Sequence, residues 1–276
     1  MTPALAVELL ALGVVVGGYG TLVGPGGGFL MVPALLLLFR FPHHLAVGTS
    51  LTAVCLNAAA GAFLYFRQGR IDLRSGVQFA AATVPGAVGG VYLLRLLSPR
   101  FFELVLGGLL AALGAFMALR PVSSGAGPAR GFVEGGSPAG MVERDLVDRQ
   151  GCRFTYRFAW WRGIALSLAV GLMSSLLGIG GGPLHVPGMV FLLGFPVHVA
   201  VATSLFVLAF SALVGSALYL LHGQVAVGPA LLLGVGAIAG ARVGAGLAGR
   251  LRSGPILRLL AAGLILIGVR LVLGRR

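Results

Sequence analysis

The chain of 276 residues is 58% hydrophobic and only 10% charged, with a mean hydropathy of +1.00. Soluble globular domains carry about 25% charged residues, so this composition excludes a water-soluble enzyme. All 20 basic residues are arginines, and the net charge of +13 is spread between apolar runs rather than concentrated in one block. The charge therefore indicates membrane topology and contact with a lipid bilayer, and we expect no nucleic-acid partner.

Eight long apolar runs follow one another along the chain, at residues 5–23, 45–66, 76–97, 101–119, 163–177, 199–221, 225–247 and 256–273. Most are close to the ~20 residues that cross a hydrocarbon layer about 30 Å thick. Two shorter runs, 29–39 and 183–193, are long enough for only half a crossing. The sequence therefore predicts an all-α, polytopic transmembrane helix bundle with about eight spanning helices and two short broken or re-entrant helices.

The two halves of the chain are copies of each other. With an offset of 154 positions and no gap, residues 24–69 and 178–223 share 21 identities in 46 positions. The polar interval between the halves contains four of the seven acidic residues. We therefore predict a first transmembrane repeat at 1–120, a polar extramembrane linker at 121–162 and a second transmembrane repeat at 163–276.

Glycine clusters precede both short runs: Gly26, Gly27 and Gly28 in the first half, and Gly180, Gly181 and Gly182 in the second. Clustered glycines break a helix and free backbone N–H groups, which a membrane tolerates only inside protein or beside a wet cavity. At the start of a short helix, converging N–H groups and the positive end of the helix dipole favour an anion. We interpret the clusters as an anion site, and the alternative is close backbone packing.

Glycines spaced by four residues occur elsewhere, at Gly86 and Gly90 in one span and at Gly236, Gly240 and Gly244 in its repeat counterpart. This spacing places them on one side of a helix, where a missing side chain lets two helices approach closely. We therefore assign these glycines to helix packing.

Polar side chains form a second group, early in the long run that follows each short one. The group comprises Thr49, Ser50 and Asn57 in the first half, and Thr203, Ser204 and Ser211 in the second. A hairpin of short and long helix would bring these groups beside the glycines, where they can donate to an oxyanion. The alternative is hydrogen bonding within or between helices. Arg242, inside the run 225–247, either adds positive charge to an anion pathway or extends to the membrane surface.

Carboxylates are scarce within the apolar runs. Glu8 and Glu103 lie near the starts of runs, and Asp72 is predicted to cap a helix. Cation pathways in membranes normally contain Asp or Glu at mid-depth, so the sequence argues against a cation substrate or a metal site. The apolar runs contain no Gly-x-Ser-x-Gly, His-Glu-x-x-His or paired acidic motif, and we expect neither enzymatic activity nor a cofactor.

Each half contains Gly-x-Gly-Gly-Gly, then Val-Pro, Ala-Val-x-Thr-Ser-Leu and Gly-x-x-Leu-Tyr, in the same order. This repeated pattern resembles the sulfite exporter TauE/SafE family of membrane transporters. The resemblance implies a multi-pass protein of the inner cell membrane, with sulfite, sulfonates and related sulfur-containing anions as substrates. We therefore expect a transporter that moves small anions across the cytoplasmic membrane by alternating access. The alternatives are a passive anion channel and a non-transporting membrane scaffold.

The relative orientation of the two halves stays open at this level. If the short helices are re-entrant, each half makes four crossings and the repeats are parallel. If the short helices cross, each half makes five crossings and the repeats are inverted. The arginines in the connecting loops do not distinguish these two arrangements.

Overall fold

The computed structural model describes residues 3–23, 27–119, 140–247 and 253–274. The first half contains α1 (Pro3–Val23), α2 (Gly28–Leu37), α3 (His43–Gln68), α4 (Leu73–Leu96) and α5 (Pro99–Leu119). The second half contains α6 (Trp160–Leu177), α7 (Gly182–Leu192), α8 (Val197–Leu221), α9 (Val227–Leu247) and α10 (Ser253–Leu273). Between them, β1 (Met141–Val147) and β2 (Arg153–Ala159) form an antiparallel hairpin. Six of the described helices are long and apolar enough to span a membrane, with shorter apolar helices beside them, so the predicted multi-pass helical bundle is confirmed.

The short helices lie where the sequence predicts them. α2 has 10 residues and α7 has 11, whereas the other described helices have 18 to 26. Each short helix ends before a Phe-Pro pair, and the proline begins a new helix because it lacks an N–H donor. The carbonyl oxygen of Pro42 accepts from Ala46 N at 2.9 Å, and that of Pro196 accepts from Ala200 N at 2.8 Å. The same local sequence therefore makes the same turn in both halves.

Helices of one half pack on helices of the other. α1 packs on α9, and α6 packs on α4; because α6 is the counterpart of α1 and α9 that of α4, this contact occurs twice. α3 packs on its own counterpart α8, and α5 packs on its counterpart α10. A Cβ atom at Gly86 of α4 would lie 2.9 Å from Leu172 N of α6, and one at Gly240 of α9 would lie 2.6 Å from Gly18 N of α1. The assignment of Gly86 and Gly240 to helix packing is confirmed. The bundle has pseudo-twofold symmetry.

The pairing of α3 with α8 decides how the halves are oriented. Gly48, near the start of α3, lies against Tyr219 near the end of α8. Gly61, near the end of α3, lies against Leu205 near the start of α8. These equivalent helices are therefore antiparallel, and a twofold axis that reverses helix direction must lie in the plane of the membrane. The repeats are inverted, and each half begins and ends on opposite sides of the membrane.

The β-hairpin lies within the interval that the sequence analysis treats as a polar linker, and it was not predicted there. Exposed and inward-facing residues alternate along both strands, so one face of the hairpin packs on the bundle. The ring of Phe195, in the turn between α7 and α8, lies 4.4 Å from that of Tyr156 and 5.0 Å from that of Phe158. The linker therefore contains a structured element that covers one side of the bundle.

Asp72 anchors the hairpin to the start of α4. Its Oδ1 accepts from Ser75 N at 3.1 Å, which confirms the predicted helix cap. Its Oδ2 accepts a 2.7 Å hydrogen bond from Tyr156 Oη and lies 3.5 Å from Arg144 Nε. Burial and the neighbouring Asp72 carboxylate raise the pKa of Tyr156, so the phenol remains a donor. A single buried carboxylate thus connects α4 with both strands.

Asp148 forms a second anchor at the tip of the hairpin. Burial by itself would raise the pKa of this carboxyl, but hydrogen bonds from Cys152 N, the Arg70 guanidinium and Gln150 N hold the pKa below its ordinary value. Arg70 belongs to the turn between α3 and α4, and its Nε lies 3.2 Å from Asp148 Oδ2. The hairpin is therefore bound at two residues, Arg70 and Asp72, of the turn between α3 and α4.

Candidate functional site

The glycine segments of the two halves meet near the middle of the bundle. A Cβ atom at Gly28 would lie 2.5 Å from Ile179 O and 2.7 Å from Val54 Cγ2, and one at Gly180 would lie 2.5 Å from Val54 Cγ1. Val54 follows the first residue of α3 by 11 positions, which corresponds to a depth of about 17 Å at 1.5 Å per residue. The starts of α2 and α7 therefore lie at mid-depth, close to the pseudo-twofold axis.

One face of α3 and the equivalent face of α8 point towards these glycines. Val54 of α3 contacts both Gly28 and Gly180, and its repeat counterpart Leu208 lies 3.4 Å from the position of a Cβ at Gly180. Residues spaced by three, four and seven share a helix face. The face of α3 that includes Val54 also includes Ser50 and Asn57, and the face of α8 that includes Leu208 includes Ser204 and Ser211. These four predicted residues therefore share the helix faces of Val54 and Leu208, the two residues that contact the glycines.

The serines on these faces differ in their hydrogen bonds. Ser50 Oγ donates to Gly178 O at 2.9 Å and thereby holds the end of α6. Its repeat counterpart Ser204 is also fully buried, but its hydroxyl has no hydrogen-bond partner among the described residues. The buried Ser211 hydroxyl likewise has none in this part of the chain. A buried hydroxyl without a partner is costly, which makes these two groups candidates for contact with a ligand.

Thr49 and Thr203 connect the two halves instead. The Oγ1 of Thr49 accepts from Ala226 N at 3.0 Å, at the entrance to α9. The Oγ1 of Thr203 accepts from Asp72 N at 3.1 Å, at the entrance to α4. Asp72 and Ala226 are themselves repeat counterparts, so this contact also occurs twice. Both threonines therefore connect the two halves by hydrogen bonds, which agrees with the alternative of hydrogen bonding between helices.

The backbone N–H groups at the two helix breaks differ in their hydrogen-bond acceptors. Gly181 N donates to Ser174 Oγ at 2.9 Å, and Gly182 N donates to Gly180 O. The N–H groups of Gly28 and Phe29, at the start of α2, have no acceptor among the described residues. Gly27, the repeat counterpart of Gly181, has Gly20 at the position equivalent to Ser174, so no serine can accept from its N–H. The counterpart of Phe29 is Pro183, which has no N–H group. Within the described residues, the first N–H groups of α2 therefore lack acceptors, whereas the N–H of Gly182 at the start of α7 has one. Gly26, the counterpart of Gly180, lies outside the described residues.

The surroundings of each glycine indicate whether it packs against a neighbouring helix or faces the centre of the bundle. Gly27, at the cap of α2, has φ +81°, and a Cβ there would also lie 2.6 Å from Val16 O. At Gly181 a Cβ would meet Val170 Cγ1 of α6, so the geometry at this residue favours the packing alternative. Gly180 has φ +63° and faces Val54, where a side chain would enter the centre of the bundle. Gly26 lies outside the described residues.

Arg242 is exposed on the outer surface of α9. The neighbouring Ala237 and Ala241 are buried, so the face of α9 that packs on the bundle does not include the guanidinium. The structure therefore does not bring Arg242 to the helix breaks. Its position is that of an arginine that extends towards the membrane surface.

Two serines that the sequence analysis did not single out also belong to the centre. Ser174 accepts from Gly181 N, and Ser175 O accepts a 2.7 Å hydrogen bond from Tyr219 Oη. The Ser175 hydroxyl is buried and has no partner in the described part of the chain. Ser174 and Ser175 could have been found in the sequence because they lie close to Gly178. They are not repeated in the first half, where Gly20 and Thr21 occupy the equivalent positions, so the comparison of the two halves did not identify them.

The family model described as Sulfite exporter TauE/SafE matches residues 9–271. The chain belongs to the sulfite exporter TauE/SafE family. It is 32% identical over 200 residues to the probable membrane transporter protein YunE of Bacillus subtilis (strain 168), covering 68% of each chain.

Two further relatives have the same kind of description. The chain is 27% identical over 185 residues to the probable membrane transporter protein YdhB of Bacillus subtilis (strain 168), covering 67% of this chain and 65% of the relative. It is 29% identical over 192 residues to a probable membrane transporter protein of Xylella fastidiosa (strain 9a5c), covering 69% of this chain and 65% of the relative. The chain thus spans about two thirds of the length of these relatives. No solved structure gives a significant match. Membership in the TauE/SafE family and these relatives support a multi-pass membrane transporter.

Proposed function

We propose that this transporter moves small oxyanions, in particular sulfur-containing ones such as sulfite or sulfonates, by alternating access around the helix breaks. The observation that carries the proposal is the pair of buried hydroxyls, Ser204 and Ser211, which lack partners among the described residues and lie on the helix face that meets Gly180. An oxyanion that accepts from either hydroxyl would remove the cost of leaving that group unpaired. The open N–H groups at the start of α2 would add donors from the opposite half.

The distribution of charge supports an anion over a cation. The buried carboxylates of the described residues are Asp72 and Asp148, and both are occupied in anchoring the hairpin outside the membrane. The buried polar groups near the breaks are hydroxyls and the amide of Asn57. Hydroxyl, amide and backbone N–H groups can donate to an oxyanion without a compensating positive charge on the substrate. The sulfur-containing class is suggested by the family name.

The inverted arrangement supports alternating access. A twofold axis in the membrane plane relates the path to one side of the bundle to the path to the other side, so an exchange of conformation between the halves would reverse the opening. The close contacts of Gly28 with Ile179 and of Gly178 with Val47 describe a state in which the breaks are closed by protein. A permanently open channel would keep a continuous opening at this level, and a scaffold would need no unpaired hydroxyls there.

Flux measurements on purified protein in liposomes test the proposal. Uptake of labelled sulfite should saturate with concentration and should be inhibited by an unlabelled sulfonate. Flux that rises linearly with sulfite concentration would indicate a channel, and the absence of protein-dependent flux of any oxyanion would leave the scaffold. Calorimetry with sulfite, sulfate, sodium and calcium provides a second measurement, and binding of the cations without an anion signal would contradict the charge argument.

A further inference from the structure

An apolar groove runs along the outside of the bundle where α3 and α8 lie side by side. It has a volume of about 380 Å³, and its lining includes Cys55, Ala59, Ala62, Phe66, Phe206 and Phe210. The alanines leave space at the floor of the groove, whereas the exposed phenylalanine rings form its walls. The residues of α3 that line the groove belong to a different helix face from Val54 and Asn57. The groove is therefore separate from the candidate anion site.

The length of the groove matches one leaflet of the bilayer. α3 and α8 cross where Cys55 Sγ donates to Ala209 O at 3.8 Å, and these residues are repeat counterparts. Equivalent residues of an inverted repeat meet on the twofold axis, so this crossing marks the middle of the membrane. Phe66 lies 11 residues further along α3, about 17 Å at 1.5 Å per residue. Half of the hydrocarbon core is about 15 Å thick, so Phe66 lies close to the headgroups.

Arg67 provides a positive charge at this outer end of the groove. Its side chain is exposed, and the guanidinium carbon lies 5.9 Å from the centroid of the Phe63 ring, which also lines the groove. No ion pair in the described part of the chain includes Arg67, whereas Arg70 is bound to Asp148. The repeat counterpart of Arg67 is Leu221. The equivalent position on the other side of the membrane therefore has no charge.

The distribution of arginines identifies the leaflet. On the side of the hairpin, the described ends and connections contain eight: Arg67, Arg70, Arg74, Arg144, Arg149, Arg153, Arg157 and Arg162. On the opposite side, the described ends and connections contain four: Arg40, Arg95, Arg100 and Arg270. Arginine is enriched on the cytoplasmic side of membrane proteins, so the hairpin faces the cytoplasm. The cytoplasmic leaflet is also the one whose anionic lipids attract basic residues near the surface.

We propose that the groove holds one acyl chain of an anionic phospholipid from the cytoplasmic leaflet, with the lipid phosphate at Arg67. The apolar lining accounts for the chain, and the unpaired guanidinium accounts for the preference for a headgroup with net negative charge. The lipid would cover the line along which α3 and α8 meet, and therefore the contact between the two inverted halves. This inference does not depend on which anion the protein transports.

Native mass spectrometry of the full chain in detergent tests the headgroup preference. Phosphatidylglycerol and phosphatidylcholine with the same acyl chains are titrated separately, and phosphatidylglycerol should give the higher occupancy of a single bound lipid. Arg67→Gln should reduce phosphatidylglycerol occupancy about fivefold, the effect of one basic residue near an anionic headgroup, and leave phosphatidylcholine unchanged. Arg95→Gln is the matched control, because Arg95 is exposed at the end of α4 and stacks 5.4 Å from the Tyr92 ring without lining the groove. Equal losses in both variants, or no loss in Arg67→Gln, would overturn the proposal.

Photo-crosslinking tests the position of the chain without a variant. Phosphatidylglycerol with a diazirine in its acyl chain should form adducts mainly within residues 55–66 and 206–213. Unlabelled phosphatidylglycerol should compete for these adducts, and phosphatidylcholine should compete less. Adducts that lie mainly elsewhere would overturn the assignment of the groove. A dimer in detergent that is lost in Ala62→Trp would show that a second copy of the chain occupies the groove, and would overturn it as well.

Discussion

Ser50 and Ser204 form a matched pair for testing the anion site. They are repeat counterparts, both are fully buried, and only Ser50 has a hydrogen-bond partner, Gly178 O, in the described residues. Ser50→Ala removes that bond and leaves a buried carbonyl without a donor, which should cost about 1–2 kcal/mol of unfolding free energy. Ser204→Ala removes a hydroxyl that is already unpaired, so stability should change by less than about 0.5 kcal/mol or should increase.

Transport should show the opposite order. A hydroxyl that donates to an anion contributes about 1.5–3 kcal/mol, so Ser204→Ala should weaken sulfite binding by tenfold or more. Ser50→Ala should leave uptake per folded molecule nearly unchanged, because its hydroxyl hydrogen is directed to Gly178 O. The assay combines the unfolding temperature in detergent with uptake in liposomes, and 1 kcal/mol corresponds to a shift of about 2–4 °C for a chain of this size. If Ser204→Ala unfolds several degrees earlier and keeps normal uptake, its hydroxyl has a structural role and the reasoning is wrong.

Three further changes test other contacts. Gly181→Ala should destabilise the protein by about 1–3 kcal/mol, because the new methyl group would overlap with Val170 Cγ1. Val170→Ala in the same chain should restore both the unfolding temperature and uptake, because the next neighbour of the new methyl group is 3.5 Å away. Tyr156→Phe removes the donor to Asp72 and should lower stability by about 1.5–3 kcal/mol, visible as earlier unfolding and faster hydrogen exchange in the hairpin. Because the pKa of Asp148 is lowered in the folded protein, its contribution is present above the ordinary carboxyl pKa and is lost as the pH falls through the folded value, so proteolysis of the hairpin should accelerate below about pH 4. Unchanged proteolysis down to pH 3 would contradict that anchor.

Much of the fold could be predicted from the sequence because the membrane constrains helix length so strongly. Long apolar runs became helices, and the runs of half that length became α2 and α7. Capping by Asp72 and packing by Gly86 and Gly240 were also predictable, because they depend on one residue and its neighbours along a helix. The β-hairpin was missed, although its strands alternate in the expected way, because a short amphipathic pair in a polar interval has no strong local signal.

The candidate site was predictable as a region and not as a set of contacts. Adjacency in the repeat placed Thr49 beside Ser50 and Thr203 beside Ser204, but neighbouring residues of a helix point in directions about 100° apart. The threonines consequently accept hydrogen bonds at the starts of α9 and α4. Ser50 instead donates to Gly178 O, and Ser204 shares the helix face of Leu208, which lies against Gly180.

The sequence by itself determined the helical, membrane-spanning class, the duplication and the two broken helices, because each depends on composition and spacing within a continuous segment. Only the tertiary structure decided that the halves are inverted and which buried polar groups lack a hydrogen-bond partner among the described residues. Those properties depend on partners far apart in the chain: Ser50 bonds to Gly178 O, 128 positions away, and Thr49 accepts from Ala226 N, 177 positions away. A buried hydroxyl is satisfied or unsatisfied according to what packs against it, and that is determined only when both halves have folded together.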